Sequence, residues 1–485
     1  MNDNQLKRQI TSGVIWKFGE RFAAQGVSFI VSLVLARILM PDDYGVVAMV
    51  NVFISIADVL VSGGLNSALI QNNHAGQKEF STIFYCNFIF SIFLYGILFV
   101  SAPYIARFYS MPSLTLVIRV FSLRLLPASY QAIQVAYVSK KMMFKKFFFS
   151  TLGGTIFSAV VGISMATKGF GVWSLVAQYM TNTVIDTLIL FITVRWHPSL
   201  YFNVKEAFPM IKFGWNVMCA NVIGVIFNQL NSFIIGKKYT TSDLAYYDRG
   251  KNLPRLVTDN ISSSLQSVLF PAMANSGNVE TIKKIARKST RYMAYILFPL
   301  MIGMIVVAEP LVEVLLTKKW LGAVPFIRLI CLEGMIGVMD STNGLQVLKA
   351  RGKSEKILKL EFVKKPIAII VIIISMQFGV MGVAVSVPLT AFITMLINTG
   401  AATKVSGYTI VEQLKDIFPA FAMSTIMGIV VYIMNFFNWN IYVKLVMQIL
   451  TGIVIYIILS IVTKNEEYKS ILKLLRSITK RGETD

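Results

Sequence analysis

The chain runs to 485 residues, 55% of them apolar and 12% aromatic, with a mean hydropathy of +0.65. A water-soluble domain has nowhere to hide that much apolar surface, so these values exclude a soluble enzyme or binding module and require solvation by lipid. The net charge of +22 lies largely in short loops between apolar runs, with no folded domain behind them, which excludes nucleic-acid binding.

Runs of about 20 mostly apolar residues predict about fourteen transmembrane helices, near residues 10–40, 43–70, 79–102, 113–137, 147–167, 170–194, 211–236, 244–273, 290–317, 323–348, 358–377, 380–403, 414–435 and 440–463. The first run is longer than a cleavable leader, so no signal peptide is expected. Span 1 carries Lys17, Glu20, Arg21, Gln25, Ser28 and Ser32 on one helical face. Span 2 carries Asn51, Ser55, Asp58, Ser62 and Asn66 at steps of three and four, again a single face. Span 4 adds Arg119 and Arg124 on different faces, with Pro127 expected to interrupt the helix just beyond them. Span 7 aligns Asn221, Gly224, Asn228 and Asn231. Span 8 aligns Asp248, Asn252, Arg255, Asp259, Ser262 and Gln266, with Arg249 on the same helix.

A charge at mid-bilayer costs roughly 2.5–3.5 kcal/mol on insertion scales, so such faces should meet protein interior or water. At about 1.5 Å of rise per residue, Arg21, Asp58 and Arg255 all fall near the midplane. Lys17, Arg21, Asp58, Arg119, Arg124, Arg249 and Arg255 are therefore the candidate substrate-binding residues, and their excess of cations favours an anionic cargo. The plain alternative is internal neutralisation, pairing Lys17 with Glu20, Asp58 with Arg21, and Arg255 with Asp248 or Asp259.

The spans also repeat. Ala36-Arg37 through Pro41-Asp42-Asp43-Tyr44-Gly45 returns as Gly236-Lys237 through Thr241-Ser242-Asp243-Leu244-Ala245. Ala102-Pro103 with Ile118-Arg119 returns as Glu309-Pro310 with Ile327-Arg328, and Phe170-Gly171-Val172 as Phe378-Gly379-Val380. Chance likeness between apolar helices would not keep so steady a spacing. Six spans per period make the two copies parallel in the membrane. The expected fold is an all-α integral membrane protein with two parallel six-helix lobes, residues 1–200 and 201–405, around a central cavity. Two additional helices, 406–463, and a cytoplasmic tail, 464–485, follow.

Loop charge sets the orientation. Lys140, Lys141, Lys145 and Lys146, then Lys283, Lys284, Arg287, Lys288 and Arg291, then Lys349, Arg351, Lys353, Lys356 and Lys359, fall on the side of the termini, which places both termini in the cytoplasm. These loops are also expected to touch anionic lipid headgroups.

The run from Ser12-Gly13-Val14-Ile15-Trp16 through Leu35-Ala36-Arg37-Ile38-Leu39 to Pro41-Asp42-Asp43-Tyr44-Gly45, then Ser67-Ala68-Leu69-Ile70-Gln71, resembles the start of the Wzx-type polysaccharide flippases related to the colanic acid exporter. Asp243-Leu244-Ala245-Tyr246-Tyr247, Phe270-Pro271, and Ala308-Glu309-Pro310 leading to Lys319-Trp320 and Ala323-Val324-Pro325 are similar as well. The likeness covers spans 1 to 12, and the last two only by hydropathy. It implies the multidrug, oligosaccharidyl-lipid and polysaccharide exporter fold in the bacterial cytoplasmic membrane. It also implies a polyprenyl-diphosphate-linked oligosaccharide as substrate, with polysaccharide polymerase machinery as a candidate partner. Ala245 stands where glycine is expected in the second-copy turn.

Other chemistry is scarce. His74 and His197 sit in separate loops, Cys86, Cys219 and Cys331 lie far apart, and no phosphate-cradling glycine loop is present, so no metal, cofactor or ATP site is expected. Gly63-Gly64 and Gly153-Gly154 fit close helix packing. Two other functions share the pattern in part: a cation-coupled multidrug antiporter, for which Asp58, Asp248 and Asp259 would serve, and a flippase of peptidoglycan precursor. A membrane polymerase or glycosyltransferase would need a sizeable outer catalytic loop, and the connections are too short for one.

Overall fold

The computed structural model describes residues 23–72, 75–274, 276 and 278–473. Lys17, Glu20 and Arg21 thus lie outside the described residues. Every regular element within them is helical. Among the described residues eleven stretches are long and apolar enough to cross a membrane, and one of these, Glu355–Ser406, is 52 residues long and contains two helices that are each of spanning length.

Two compact units divide the chain at Ala245/Tyr246. The first contains α1 (Ala23–Ile38), α2 (Pro41–Ser62), α3 (Leu65–Gln71), α4 (Gln77–Phe108), α5 (Leu114–Ser122), α6 (Leu125–Lys140), α7 (Phe144–Thr167), α8 (Val172–Val194) and α9 (Val204–Lys238). Helix α10 (Thr241–Ala274) begins in this unit and continues into the second. The second unit goes on with α11 (Val279–Leu316), α12 (Val324–Met339), α13 (Leu345–Ala350), α14 (Ser354–Ser375), α15 (Gly379–Ser406), α16 (Ile410–Ile433) and α17 (Ile441–Val462). Helix α10 is 34 residues long, ample for a crossing, but it is too polar to stand among those eleven apolar stretches.

Side chains fix the helix starts. Asn203 caps α9, Asn278 caps α11, and Thr409 with Glu412 forms a reciprocal capping box at α16. The same local geometry recurs 200 positions apart. The Asp43 carboxylate accepts the Met40 N–H at 3.1 Å before α2, and Asp243 accepts the Thr240 N–H at 3.2 Å before α10. Left-handed backbone also recurs: Ser110 ends α4 as Thr317 ends α11, Met142 precedes α7 as Gly352 precedes α14, and Arg195 ends α8 as Gly407 ends α15. Gly171 (φ +54°) and Gly379 (φ +77°) open α8 and α15 from a conformation that L side chains rarely adopt.

In the first unit, Leu69, Phe80, Ile83, Ile133, Val138, Leu190 and Trp196 form a core joining α3, α4, α6 and α8. At Gly64, between α2 and α3, a Cβ would stand 2.1 Å from the carbonyl oxygen of Gly214 in α9, so the glycine pair permits backbone contact as well as the bend. That bend divides the span 2 stripe: Asn51 to Ser62 share α2, while Asn66 belongs to α3. Gly45 is explained by the Thr241 carbonyl oxygen, 2.0 Å from where its Cβ would be, whereas the corresponding Ala245 is simply buried at 1% exposure. Glycine there answers a close approach in one copy and not a turn geometry shared by both.

In the second unit, Tyr295, Met423, Met427, Val431, Leu445 and Tyr456 pack α16 and α17 onto α11. The Tyr456 hydroxyl donates to the Tyr295 carbonyl at 2.9 Å, and the Tyr295 and Ser460 hydroxyls bond at 2.8 Å. The opposite faces of α16 and α17 expose Ile429, Ile433, Val446, Ile453 and Ile461, as a lipid-solvated helix must.

Candidate functional site

Charges inside membrane helices are costly, so their partners identify what they do. In the first unit the chain breaks between α5 and α6 at Leu123 and Arg124, and Arg124 is the N-cap of α6. Pro127 does not interrupt the helix beyond the arginines as expected. It lies in the first turn of α6, where a backbone N–H has no helical acceptor to lose. The break turns the Arg124 guanidinium toward α2, where it donates to the Asp58 carboxylate. The two side chains are 17% and 30% exposed, so the pair is neither sealed nor on open surface. The Phe121 ring lies 5.0 Å from the guanidinium, and the buried Nε of Arg124 has no hydrogen-bond partner among the described residues. Asp58 was expected to pair with Arg21; its partner among the described residues is Arg124.

Neighbouring polar groups tie the same helices together. Gln229 of α9 donates to the Ser55 hydroxyl at 3.2 Å, Asn221 of α9 to the Gly63 carbonyl at 3.3 Å, and Gln131 of α6 to the Asp186 carboxylate of α8 at 2.5 Å.

In the second unit Arg255 donates to both carboxylate oxygens of Glu333 in α12, at 2.9 and 3.3 Å. Their exposures are 34% and 26%. This corrects the expected pairing with Asp248 or Asp259. Asp248 is two turns away along α10, about 10 Å by helical rise, and lies 3.7 Å from Lys251 instead. Asp259 is exposed, whereas Glu333 on the packed neighbouring helix meets the planar guanidinium with two oxygens. Sequence reading missed Glu333 because it is the single carboxylate in the apolar run of α12, with no polar stripe around it. A lone carboxylate in such a run was the available signal.

The two pairs occupy matching places in the repeat. Glu333 follows Arg124 by 209 positions, the spacing that also relates Arg119 to Arg328. The counterpart of Asp58 at the 200-residue spacing is Thr258, one turn from Arg255. Each unit thus holds one Arg–carboxylate pair between its polar helix and the facing helix, with the signs exchanged.

Arg119 is placed apart from Arg124. Its Nε donates to the Phe99 carbonyl of α4 at 3.3 Å, and its guanidinium lies 4.2 Å from the Phe99 ring. That carbonyl precedes Pro103 by four residues, so it is the one that proline leaves without a helical N–H donor. Arg328 in the second unit also donates from Nε to a helical carbonyl, that of Ile305 at 3.2 Å, one residue before the carbonyl that Pro310 leaves open, and it pairs with Glu309. Arg249 stacks over the Trp320 ring at 5.5 Å. The structure therefore brings together Asp58 with Arg124, and Arg255 with Glu333, while Arg119 and Arg249 have separate surroundings.

A second polar group was not foreseen in the sequence. Beyond α12 a π-helical turn, Asp340–Gly344, widens the helix, and Asn398 of α15 donates to Asp340 at 2.8 Å. Thr342 bonds Thr290 of α11 at 2.7 Å, and Gln346 donates to Gln266 of α10 at 2.8 Å.

A family model described as polysaccharide biosynthesis protein matches residues 34–325. Among curated relatives, the succinoglycan biosynthesis transport protein ExoT of Rhizobium meliloti is 26% identical over 67% of this chain, a match that spans 66% of its own length. The teichuronic acid biosynthesis protein TuaB of Bacillus subtilis is 23% identical over 72% of this chain and 73% of its own. The lipopolysaccharide biosynthesis protein WzxC of Escherichia coli is 23% identical over 81% and 80%. Among solved structures, the lipid II flippase MurJ in an inward closed conformation superposes with a TM-score of 0.75 at 14% identity, covering 95% of this chain and all of that one. An inward-facing multidrug resistance MATE family transporter of the MOP superfamily gives 0.61 at 14% identity over 78% of this chain and 95% of its own. The fold is that of these transporters, and the chain belongs to the polysaccharide biosynthesis protein family.

Proposed function

We propose that this protein is a flippase that carries polyprenyl-diphosphate-linked oligosaccharide units across the bacterial cytoplasmic membrane by alternating access, for surface polysaccharide synthesis. The family match over residues 34–325, with relatives whose names are those of polysaccharide transport and biosynthesis proteins, carries this reading. The paired arginines suggest how an anionic headgroup is held. A guanidinium offers five N–H donors, and a carboxylate engages at most two of them well. Asp58 and Glu333 thus keep Arg124 and Arg255 charged and oriented within the helices while leaving donors for phosphate oxygens. A diphosphate brings more charge and more acceptors than one carboxylate, so it can draw each arginine from its internal partner and hand it back on release.

On this reading the two six-helix lobes of the repeat, residues 1–200 and 201–405, enclose the cavity, and Lys17 and Arg21 add cations to it. The basic loops and both termini face the cytoplasm. The protein transports without bond chemistry of its own, and the unit delivered to the outer leaflet is passed to polymerase machinery.

The test is the lipid that accumulates when the gene is deleted. A polyprenyl-diphosphate oligosaccharide building up in the cytoplasmic leaflet supports the proposal, and its mass gives the glycan class. Accumulation of peptidoglycan precursor would move the substrate to that lipid. An unchanged lipid pool with altered drug tolerance would replace the flippase with a drug antiporter.

A further inference from the structure

The second unit has a charged cleft away from both arginine pairs. It measures about 610 Å³ and is lined by residues from the start of α11, Lys284, Arg287, Lys288, Arg291 and Tyr292, and from the segment after α17, Glu466, Glu467, Lys469, Ser470 and Lys473. Six cations thus face two carboxylates. Both carboxylates are committed to one cation: Arg291 bonds Glu467 at 2.6 Å and Glu466 at 3.1 Å. Arg287 is held from below by Asp416 of α16, at 2.7 and 2.9 Å. Among the described residues Lys284 makes only the exposed pair with Glu280. Lys288, Lys469 and Lys473 have no ion pair among the described residues. The walls are therefore fixed by internal salt bridges, while the lysines at the rim keep unspent charge.

The depth of the cleft selects the ligand. Along α11 the basic residues end at Arg291 and the apolar run starts at Tyr292; at the other wall the apolar run of α17 ends at Val462, which is 70% exposed. The cations hence sit level with the end of the lipid-facing surface, beside a tyrosine of the type that favours headgroup depth. We propose that this cleft binds the phosphate headgroup of an anionic membrane phospholipid, with its acyl chains lying along the exposed face of α17.

The measurement is native mass spectrometry of the detergent-purified full chain titrated with phosphatidylglycerol, and separately with phosphatidylcholine. The variant Lys288→Gln/Lys469→Gln should lose phosphatidylglycerol affinity by about thirtyfold, from the ordinary strength of two lysine to anionic-lipid contacts. Phosphatidylcholine binding should not change. Lys168→Gln/Lys205→Gln removes the same charge from exposed positions elsewhere and should leave both lipids unaffected. Equal affinity of the cleft variant and the unaltered protein would overturn the proposal, as would an equal loss in the control variant. Binding of inorganic pyrophosphate by the unaltered protein with no binding of phosphatidylglycerol would assign the cleft to a soluble anion instead.

Discussion

Glu333 stands where the repeat would place a second Arg124, and each is the partner of the charged residue on the polar helix of its own unit. One ion pair occurs twice with its charges exchanged. Since the second unit accepts the reversed polarity, the first should accept it too. Asp58→Arg alone puts two guanidiniums together in a half-buried place and should cut the folded yield sharply, since an uncompensated charge at full burial costs about 3–5 kcal/mol and a partly exposed one somewhat less. Asp58→Arg with Arg124→Glu should recover most of that yield. Thermal unfolding in detergent of the three forms checks this; a double variant no more stable than the single one would show that Asp58 and Arg124 do not act as a pair.

Arg119 and Pro103 form a different kind of couple. If the arginine serves the Phe99 carbonyl that the proline leaves open, then Arg119→Ala should cost about 1–3 kcal/mol, the penalty for a backbone carbonyl left unsatisfied in an apolar, lipid-facing setting. Pro103→Ala restores the helical N–H, so Arg119→Ala should be milder in the Pro103→Ala background. A double-mutant cycle reads this coupling directly. Strict additivity would mean that Arg119 acts elsewhere, including on substrate.

The Gly64 and Gly214 contact makes a plain steric prediction. Gly64→Ala places a Cβ within 2.1 Å of backbone oxygen and should destabilise by about 1–3 kcal/mol or more, because backbone cannot step aside as a side chain can. Gly224→Ala on the same α9 meets nothing within 4 Å and should be neutral or stabilising by roughly 0.5–1 kcal/mol. Unfolding midpoints that fail to separate the two variants would reject the packing of α9 on the α2–α3 bend.

Much of this was legible in the sequence, and the parts that were not have physical reasons. Helix periodicity singled out Asp58 and Arg255, because a charged residue in a regular polar stripe leaves a mark in the residue order. The partners were harder. Arg124 was noticed as a charge, but its role depends on the break at Leu123, which no glycine or proline announces at that point. Glu333 has no stripe at all, and nothing in the residue order shows that Arg119 meets the carbonyl four residues before Pro103. Pairing between helices is a tertiary fact, and nearest neighbours along one helix, such as Asp259 for Arg255, are a poor guide to it.

The pairs also bear on how the membrane potential acts on the transport cycle. With Asp58 and Glu333 neutralising Arg124 and Arg255, the charge that crosses the membrane is mainly that of the diphosphate, and any excess on the carrier rests with residues such as Lys17 and Arg21. An inside-negative potential should speed outward movement, by up to about 2.3 kcal/mol per uncompensated charge per 100 mV. Vesicles with an imposed potassium diffusion potential test the sign. Flipping that ignores the potential yet follows a pH or sodium gradient would show that an ion sets the driving force.

The most direct measurement is translocation itself. Purified protein in vesicles would be given the polyprenyl-diphosphate oligosaccharide recovered from the deletion strain, with its transbilayer movement followed by an impermeant glycan-modifying reagent. The unaltered chain should move the lipid well above empty vesicles, and Arg124→Gln and Arg255→Gln should each abolish movement while remaining inserted and folded. Movement at the unaltered rate in both variants, or no movement by the unaltered chain, would contradict the account.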